Sequence, residues 1–376
     1  MKFDTVIIGG GLAGIMAGIR LQGASRQTAI VSAGQNALHF FSGSFESLKE
    51  APSGMKEIFS SAGIDIHYED GVRLMPLGSF REAALSLGDV SIFAKPDFAE
   101  KVLIVNLPEY HDFFASFIAE GLEKQGIACS IKALSLPELK DLEQSPSEMR
   151  SVQIARIMDR CIDKVIKEIR LLLCDEDAVV LPQVFGLKDA SIPGKLRREI
   201  PAKVVFAGTL PPSVPGIRTQ MLLKRYYESL GGIFFAGDEV LHTHVHEGVA
   251  HSVATRNMDS HYLEASSFIL ATGSYFSKGL RSNPFGITEP LFGLDVEFSP
   301  ERSSWYNPSF KEEQPYMNYG VTTDASLHGV RGGEPMKNVY AIGSVLGGTR
   351  SAEFGTGAGL AVRTALAACE QILSGK

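Results

Sequence analysis

Residues 3–14 read FDTVIIGGGLAG, a short apolar run that leads directly into a glycine-rich turn. The run Phe3–Ile8 is rich in Val and Ile, which is typical of a buried parallel strand. Apolar residues at helical spacing follow from Leu12 to Leu21, and the next apolar run is TAIVS, Thr28–Ser32. The first 32 residues therefore predict a βαβ unit, in which a crossover helix joins two parallel strands.

The glycines follow the pattern GxGxxG at the point where the first strand gives way to the helix. Gly9 permits the tight turn, Gly11 lets the backbone approach a phosphate, and Gly14 lets helix and strand pack closely. The helix N-terminus adds N–H donors and the positive end of its dipole. This pattern predicts cofactor contacts at Gly9, Gly11, Leu12, Ala13 and Gly14.

The second strand ends in Ser32, where dinucleotide-binding folds usually place an acid that binds a ribose hydroxyl. Ala33 and Gly34 follow, so no carboxylate stands near this strand end in the sequence. Ser32 is predicted to lie beside the cofactor without supplying that acidic contact.

Two later segments have the form of flavoprotein motifs. The first, SFILATGS at 267–274, is a strand that ends in Ala271, Thr272 and Gly273, predicted beside the cofactor. The second, NVYAIGS at 338–344, ends in Gly343 and Ser344, with Ser344 where many flavoproteins carry an acid.

A predicted closing helix, Gly357–Leu373, follows the second of these motifs. Its N-terminal residues Gly357 and Ala358 would direct a positive dipole at a reduced flavin ring. Three motifs in this order predict a flavin-binding fold.

The middle of the chain carries a second βαβ signal, with strand 101–106, helix 109–125 and strand 127–131, followed by a long amphipathic helix over 147–173. The predicted fold class is α/β: a Rossmann-like two-dinucleotide-binding flavoprotein fold with an inserted α/β domain. The predicted boundaries are 1–48, 213–278 and 336–376 for a discontinuous flavin-binding domain, and 49–212 and 279–335 for an inserted substrate or partner domain.

Composition excludes several classes of function. The 376 residues include 36 Lys and Arg against 43 Asp and Glu, a net charge of −7 that disfavours nucleic-acid binding by counterion release. The four cysteines form no CxxC pair, and three histidines that alternate along one strand, His242, His244 and His246, suit metal geometry poorly. We predict no metal site, no transmembrane span and a reduced, cytoplasmic protein.

Several segments outside the general flavoprotein pattern resemble the B subunits of the anaerobic glycerol-3-phosphate dehydrogenases of bacteria, and the resemblance covers nearly the whole chain. They are MKFDTVIIGGGLAG at 1–14, GQNALHFFSGS at 34–44, TLPPSVPGIR at 209–218, AGDEV at 236–240, GLDV at 293–296, YGVTTD at 319–324 and AIGSVLGG at 341–348.

The resemblance implies an oxidoreductase subunit of glycerol metabolism that uses FMN. It implies oxidation of sn-glycerol 3-phosphate to glycerone phosphate, with electrons passed towards the quinone pool in anaerobic respiration. The implied partners are a larger flavoprotein subunit and a membrane-associated iron–sulfur subunit, through which the protein would lie at the inner membrane. FAD stays an alternative, because GxGxxG usually faces a pyrophosphate, whereas Ser32 suits a mononucleotide.

Four residues after the second strand are further candidates, because related flavoproteins bring this loop over the cofactor. Ser42, Gly43 and Ser44 are predicted cofactor contacts, and His39 is the candidate base for the substrate hydroxyl proton. Arg350 is the preferred partner of a substrate phosphate among five arginines; the others are Arg218, Arg256, Arg302 and Arg331.

Two other classes of function stay open at this stage. One is a stand-alone flavin-dependent oxidase or dehydrogenase of another small substrate, which would turn over without partners. The other is a non-catalytic electron-relay or scaffold subunit, which the serines at 32 and 344 also permit.

Overall fold

A computed structural model describes residues 1–108, 110–140, 142, 150–258 and 261–375. The chain divides into two compact units. The first unit comprises Met1–Ala37, Ala51–Ala62 and Leu222–Lys376, and the second comprises Leu38–Glu50 and Gly63–Met221.

The helices and strands are numbered separately, each in chain order. The helices are α1 (Leu12–Gly23), α2 (Met55–Ser61), α3 (Ala115–Glu123), α4 (Pro137–Lys140), α5 (Ser151–Arg160), α6 (Ile162–Leu172), α7 (Ile192–Glu199), α8 (Val214–Ser229), α9 (Ser351–Phe354) and α10 (Gly357–Ser374). The strands are β1 (Lys2–Ile8), β2 (Thr28–Ser32), β3 (Ile66–Leu74), β4 (Phe80–Leu87), β5 (Lys101–Asn106), β6 (Ala128–Ala133), β7 (Ala178–Pro182), β8 (Lys203–Ala207), β9 (Ile233–Ala236), β10 (Val240–His246), β11 (Val249–Thr255), β12 (Tyr262–Leu270), β13 (Arg281–Asn283), β14 (Gly286–Thr288), β15 (Val296–Glu297), β16 (Gly320–Val321), β17 (His328–Arg331) and β18 (Glu334–Ala341).

The first unit is built on a sheet whose parallel part has the order β9-β2-β1-β12-β18. Ile8 pairs with Leu270 on one side and with Val31 on the other, and Leu270 pairs in turn with Ala341. The carboxyl ends of these strands therefore meet at one edge, which is the Rossmann arrangement. The predicted fold class and the predicted parallel βαβ unit are confirmed.

Helix α1 packs tightly in this unit because small residues face its neighbours. A Cβ atom added at Gly18 would lie 2.8 Å from Ile30 Cδ1 and 2.9 Å from the ring of Tyr227. The Tyr227 hydroxyl, fully buried, donates to the carbonyl oxygen of Thr28 at 3.0 Å. These contacts fix α1, and with it the glycine turn at its N-terminus.

The second unit carries a separate four-stranded parallel sheet, β6-β5-β7-β8, and a hairpin of β3 and β4. Fully buried aliphatic residues of the strands, such as Ile104, Val179 and Val205, share one core with the apolar faces of α5 and α6. The predicted strand 101–106 has the observed bounds of β5. The predicted helix 109–125 is shorter, α3, and Glu109 lies outside the described residues.

Two predictions of secondary structure need correction, and one element was not predicted. The long helix predicted over 147–173 is two helices, α5 and α6, because the backbone leaves helical geometry at Cys161 (φ −107°, ψ 20°); residues 147–149 lie outside the described part. The strand predicted within 267–274 begins earlier than expected, because it is the end of the longer strand β12, Tyr262–Leu270. The hairpin of β3 and β4 was not predicted.

The observed division also differs from the predicted domain boundaries. Residues 279–335 lie in the first unit, whereas residues 38–48 and 213–221 lie in the second. The sequence pattern predicts the opposite assignment for both groups, because it carries no information on the contacts that hold these loops.

Candidate functional site

The turn between β1 and α1 has a backbone geometry that requires glycine at two positions. Gly9 has φ +117°, and a Cβ there would lie 2.2 Å from the carbonyl oxygen of Ala271. A Cβ at Gly14 would lie 1.9 Å from the carbonyl oxygen of Gly9. At Gly11, by contrast, a Cβ would meet no described heavy atom within 4 Å. Space for an approaching ligand therefore exists at the middle glycine.

The N-terminus of α1 is suited to an anion. Within the described chain, no side chain caps this helix end and no acid occupies its first turn. The first N–H groups of a helix have no intrahelical partner, so the amides of Leu12, Ala13 and Gly14 are donors for a ligand. The helix dipole adds partial positive charge at the same place.

The later two motifs lie at the same sheet edge as this turn. The amide of Ala271 donates to the carbonyl oxygen of Ile8 at 2.8 Å. A Cβ at Gly343 would lie 3.1 Å from Ala13 Cβ, and one at Gly273 would lie 3.6 Å from Ser344 Oγ. The structure therefore brings together three motifs that are spread over more than 300 residues of sequence.

A buried hydroxyl at this edge lacks a partner. Thr272 Oγ1 is buried and makes no hydrogen bond within the described residues. Helix α10 begins shortly after the third motif in sequence, at Gly357 and Ala358, and a Cβ at Gly357 would meet no described atom within 4 Å. An orphaned hydroxyl, an open glycine and an uncapped helix fit a phosphate-bearing flavin.

Ser32 lies next to the glycine turn, and its contact with a cofactor stays a prediction. It is buried, and its Oγ donates to Gly34 O at 3.4 Å and to Asn36 Oδ1 at 3.3 Å. A Cβ at Gly10 would lie 2.7 Å from the Cβ of Ser32. The strand end is therefore polar but carries no charge.

Sequence reasoning missed a buried carboxylate beside Ser32. Asp238, just after β9, donates its amide to Ser32 O at 3.2 Å. Its Oδ1 accepts hydrogen bonds from the amides of Glu239 (2.8 Å) and Asn257 (3.0 Å), so it stabilises a loop. The only sequence signal for it is the AGDEV segment of the family resemblance.

Ser42, Gly43 and Ser44 lie in the second unit and contact residues of that unit. Ser42 Oγ accepts a hydrogen bond from the guanidinium of Arg73 at 3.0 Å, and Ser44 Oγ donates to Leu85 O at 3.5 Å. Gly43 has φ +91°, and its Cβ would lie 2.6 Å from Val90 Cγ2. Their contact with a cofactor stays a prediction.

The two candidate catalytic residues lie in different units. His39, in the second, is partly buried with its ring centroid 4.1 Å from that of Phe40. Arg350, in the first, binds Glu353 Oε1 at 2.7 Å and Glu313 Oε1 at 2.6 Å. A substrate phosphate would have to compete with these two carboxylates, and both catalytic roles stay predictions.

The described ranges offer no sign of a metal centre or of a membrane span. They hold no cluster of three or more His, Cys, Asp or Glu able to bind a metal ion, and no helix long and apolar enough to cross a bilayer. The alternating histidines His242, His244 and His246 are on β10, and all three are exposed.

Comparison with known proteins places the chain among flavoproteins. Residues 4–61 and 47–360 match the family described as FAD binding domain. Two similar relatives are anaerobic glycerol-3-phosphate dehydrogenase B subunits. The one from Pectobacterium carotovorum is 36% identical over 99% of each chain. The one from Yersinia pseudotuberculosis is 35% identical, covering 100% of this chain and 99% of that one.

Two solved flavoenzyme structures are similar to this chain at low identity. The flavin-dependent brominase Bmp2 is 10% identical, with coverage of 100% of this chain and 79% of that chain and a TM-score of 0.42. Glycine oxidase from Bacillus cereus is 12% identical, with coverage of 100% and 96% and a TM-score of 0.38.

Proposed function

We propose that this chain, which belongs to the family of anaerobic glycerol-3-phosphate dehydrogenase B subunits, binds a flavin and takes part in oxidising sn-glycerol 3-phosphate to glycerone phosphate. The observation that carries the proposal is the meeting of three glycine-containing turns at one sheet edge, where Gly11 faces open space. The names of the relatives support glycerol 3-phosphate as the substrate. The open space at the sheet edge supports this location for the cofactor.

The residues of the first unit have distinct roles in holding the flavin. The amides of Leu12, Ala13 and Gly14 would hold its phosphate, and Thr272 Oγ1, which is buried without a partner, would be a further donor for the cofactor. The N-terminus of α10, at Gly357 and Ala358, stabilises negative charge on the ring. When bound, the flavin supplies a two-electron acceptor for the hydride of the substrate alcohol.

FMN is the proposed cofactor, with FAD as the alternative. The proposal for FMN is supported by Ser32, whose hydroxyl is engaged with Gly34 and Asn36 and offers no carboxylate to an adenosine ribose. The GxGxxG turn favours FAD, as does the family description, so identification of the bound flavin decides between them.

His39 and Arg350 are the proposed substrate residues. The imidazole of His39 would take the proton from the substrate hydroxyl oxygen. Arg350 would bind the phosphate if Glu313 and Glu353 released its guanidinium.

The relatives are named as subunits of a dehydrogenase, which supports assembly into a complex. The proposed partners are a larger flavoprotein subunit and a membrane-associated iron–sulfur subunit, which pass electrons towards the quinone pool. The protein would then be cytoplasmic and bound at the inner membrane through its partners.

The test compares two preparations. One is the purified chain alone, and the other is the chain co-expressed with the proteins encoded by the genes next to its own gene. We expect glycerol-3-phosphate-dependent dye reduction in the co-purified complex and little in the single chain. Turnover of another small substrate by the single chain would favour the stand-alone oxidase. An unchanged rate in a complex that lacks this chain would contradict the proposal.

A further inference from the structure

An aromatic cavity of about 650 Å³ lies within the first unit, apart from the residues assigned to the flavin phosphate. Its lining consists of Tyr275, Ser282, Ile287, Arg302, Ser303, Trp305, Tyr306 and Tyr316. This volume lies in the range of pockets that bind drug-sized ligands between apolar walls with a few polar groups.

The aromatic walls are held in place by defined contacts. Trp305 Nε1 donates to Ser299 O at 2.7 Å, and its ring meets that of Tyr319 edge-on at 6.3 Å. The rings of Tyr275 and Tyr316 meet edge-on at 6.4 Å. Flat aromatic surfaces fixed in this way suit a flat ligand, because ring faces gain from stacking beyond the area they bury.

The polar groups of the cavity are donors. The guanidinium of Arg302 lies 5.9 Å from the ring centroid of Trp305, and Ser282 and Ser303 add hydroxyls. The phenol of Tyr275 is uncharged at neutral pH, and burial raises its pKa further, to about 12. The lining therefore offers donors to carbonyl oxygens but only one cation, whereas phosphate sites usually combine several charge-assisted donors.

We propose that this cavity binds a planar conjugated ring that carries carbonyl oxygens, and not the polyol phosphate. Two kinds of molecule have this chemistry: a quinone, and the ring of a flavin. With a quinone as the occupant the inference goes beyond the proposed function, and with the flavin ring as the occupant it deepens that function and rests on it.

Trp305 makes the proposal directly testable because it is the only tryptophan of the chain. The full-length protein is titrated with menadione, with FMN and with glycerol 3-phosphate while tryptophan emission is recorded. We expect saturable quenching by menadione and none by glycerol 3-phosphate. FMN that competes with menadione identifies the flavin ring as the natural occupant, and FMN that does not compete identifies a quinone.

Two variants and a matched control locate the binding site. Tyr306→Ala removes an exposed wall, and we expect about 2- to 10-fold weaker menadione binding from the lost stacking. Arg302→Gln is expected to weaken menadione binding as well. Phe310→Ala, an exposed aromatic outside the lining, should leave binding unchanged.

The proposal is overturned by absence of saturable quenching with both ring compounds, by quenching with glycerol 3-phosphate instead, or by equal affinities of Tyr306→Ala and the unaltered chain. None of these readouts requires turnover. Failure here would therefore leave the glycerol-3-phosphate proposal intact, and loss of that activity would leave this one intact.

Discussion

The two parallel sheets of this chain end in different ways at their carboxyl edges. In the first unit β1 leads into Gly9, Gly10 and Gly11, and the last of these faces open space. In the second unit β5 leads into a buried Leu107 and then Pro108, which has no N–H to offer a phosphate. The same strand architecture therefore leaves open space at a glycine after β1, whereas after β5 it leads into a buried leucine and a proline.

Side chains hold the corresponding loops of the second unit. After β7, the guanidinium of Arg218 donates to Gly186 O at 2.8 Å and to Asp89 Oδ2 at 2.6 Å, and this ion pair is buried. Arg218 was one of the arginines considered for a substrate phosphate, and its structural partners account for it. The comparison predicts that loss of the buried ion pair damages the second unit, and that a Cβ added at Gly14 damages the glycine turn of the first.

Removal of Arg218 is expected to have the largest effect. Arg218→Ala leaves the carboxylate of Asp89 buried without its partner, and we expect a loss of about 3–5 kcal/mol in the free energy of unfolding. Urea unfolding measures this loss. The paired variant Arg218→Met with Asp89→Leu removes both charges and should lose less; an equal loss in both variants would contradict the ion-pair explanation.

Gly14→Ala tests the first unit with a single methyl group. Its Cβ would lie 1.9 Å from Gly9 O, so we expect a loss of about 1–3 kcal/mol in stability and the release of most bound flavin. Gly23→Ala, at the other end of the same helix, meets no described atom within 4 Å and is the matched control. Thermal unfolding and flavin absorbance check both variants, and equal behaviour of the two would refute the close packing at Gly14.

Gly11→Ala separates ligand binding from folding. Because its Cβ meets no described atom within 4 Å, we expect a stability change within about 0.5 kcal/mol. The methyl group would occupy space needed by a phosphate, and we expect about tenfold weaker flavin binding, equal to about 1.4 kcal/mol. Reconstitution of the flavin-free protein, followed by fluorescence, measures the affinity, and unchanged affinity would remove Gly11 from the site.

We expect low pH to destabilise the second unit through protonation of Glu176. Burial alone would raise the pKa of this carboxyl, but hydrogen bonds from the Cys174 amide (2.7 Å) and Ser130 Oγ (2.8 Å) outweigh burial and lower the pKa to about 2. A lowered folded-state pKa gives stability that is present above the ordinary Glu value and is lost as pH falls towards 2.

Glu176→Gln should therefore reduce the fall in unfolding free energy between about pH 5 and pH 2. Urea unfolding at several pH values measures this slope. Asp175→Asn is the neighbouring control, because the Asp175 side chain is 72% exposed and a surface ion pair contributes little. A slope as steep in Glu176→Gln as in the unaltered protein would exclude Glu176 as the source.

Local patterns were sufficient to predict the elements on either side of the first glycine turn. The bounds of β2 were predicted as observed, and α1 begins at Leu12 as expected, because the GxGxxG turn and the apolar runs are encoded within 32 residues. The break at Cys161 was not predictable, since the apolar face continues from α5 into α6 without a change of spacing.

Long-range contacts could not be predicted from the sequence. The pairing of Arg350 with Glu313 joins residues far apart in the chain, and the aromatic cavity joins turns spread over residues 275–316. Neither has a periodic signature. Residues 279–335 were assigned to the inserted domain for the same reason, because the pairing of β15 with β16 depends on contacts across a loop region.

Flavin content of the purified chain tests the central proposal most directly. The protein is denatured, and the released chromophore is identified by its absorbance spectrum and its mass. We expect a yellow protein that releases about one FMN per chain, and less flavin from Gly14→Ala than from Gly23→Ala. A colourless protein that takes up neither FMN nor FAD on reconstitution would contradict a flavin site at this sheet edge.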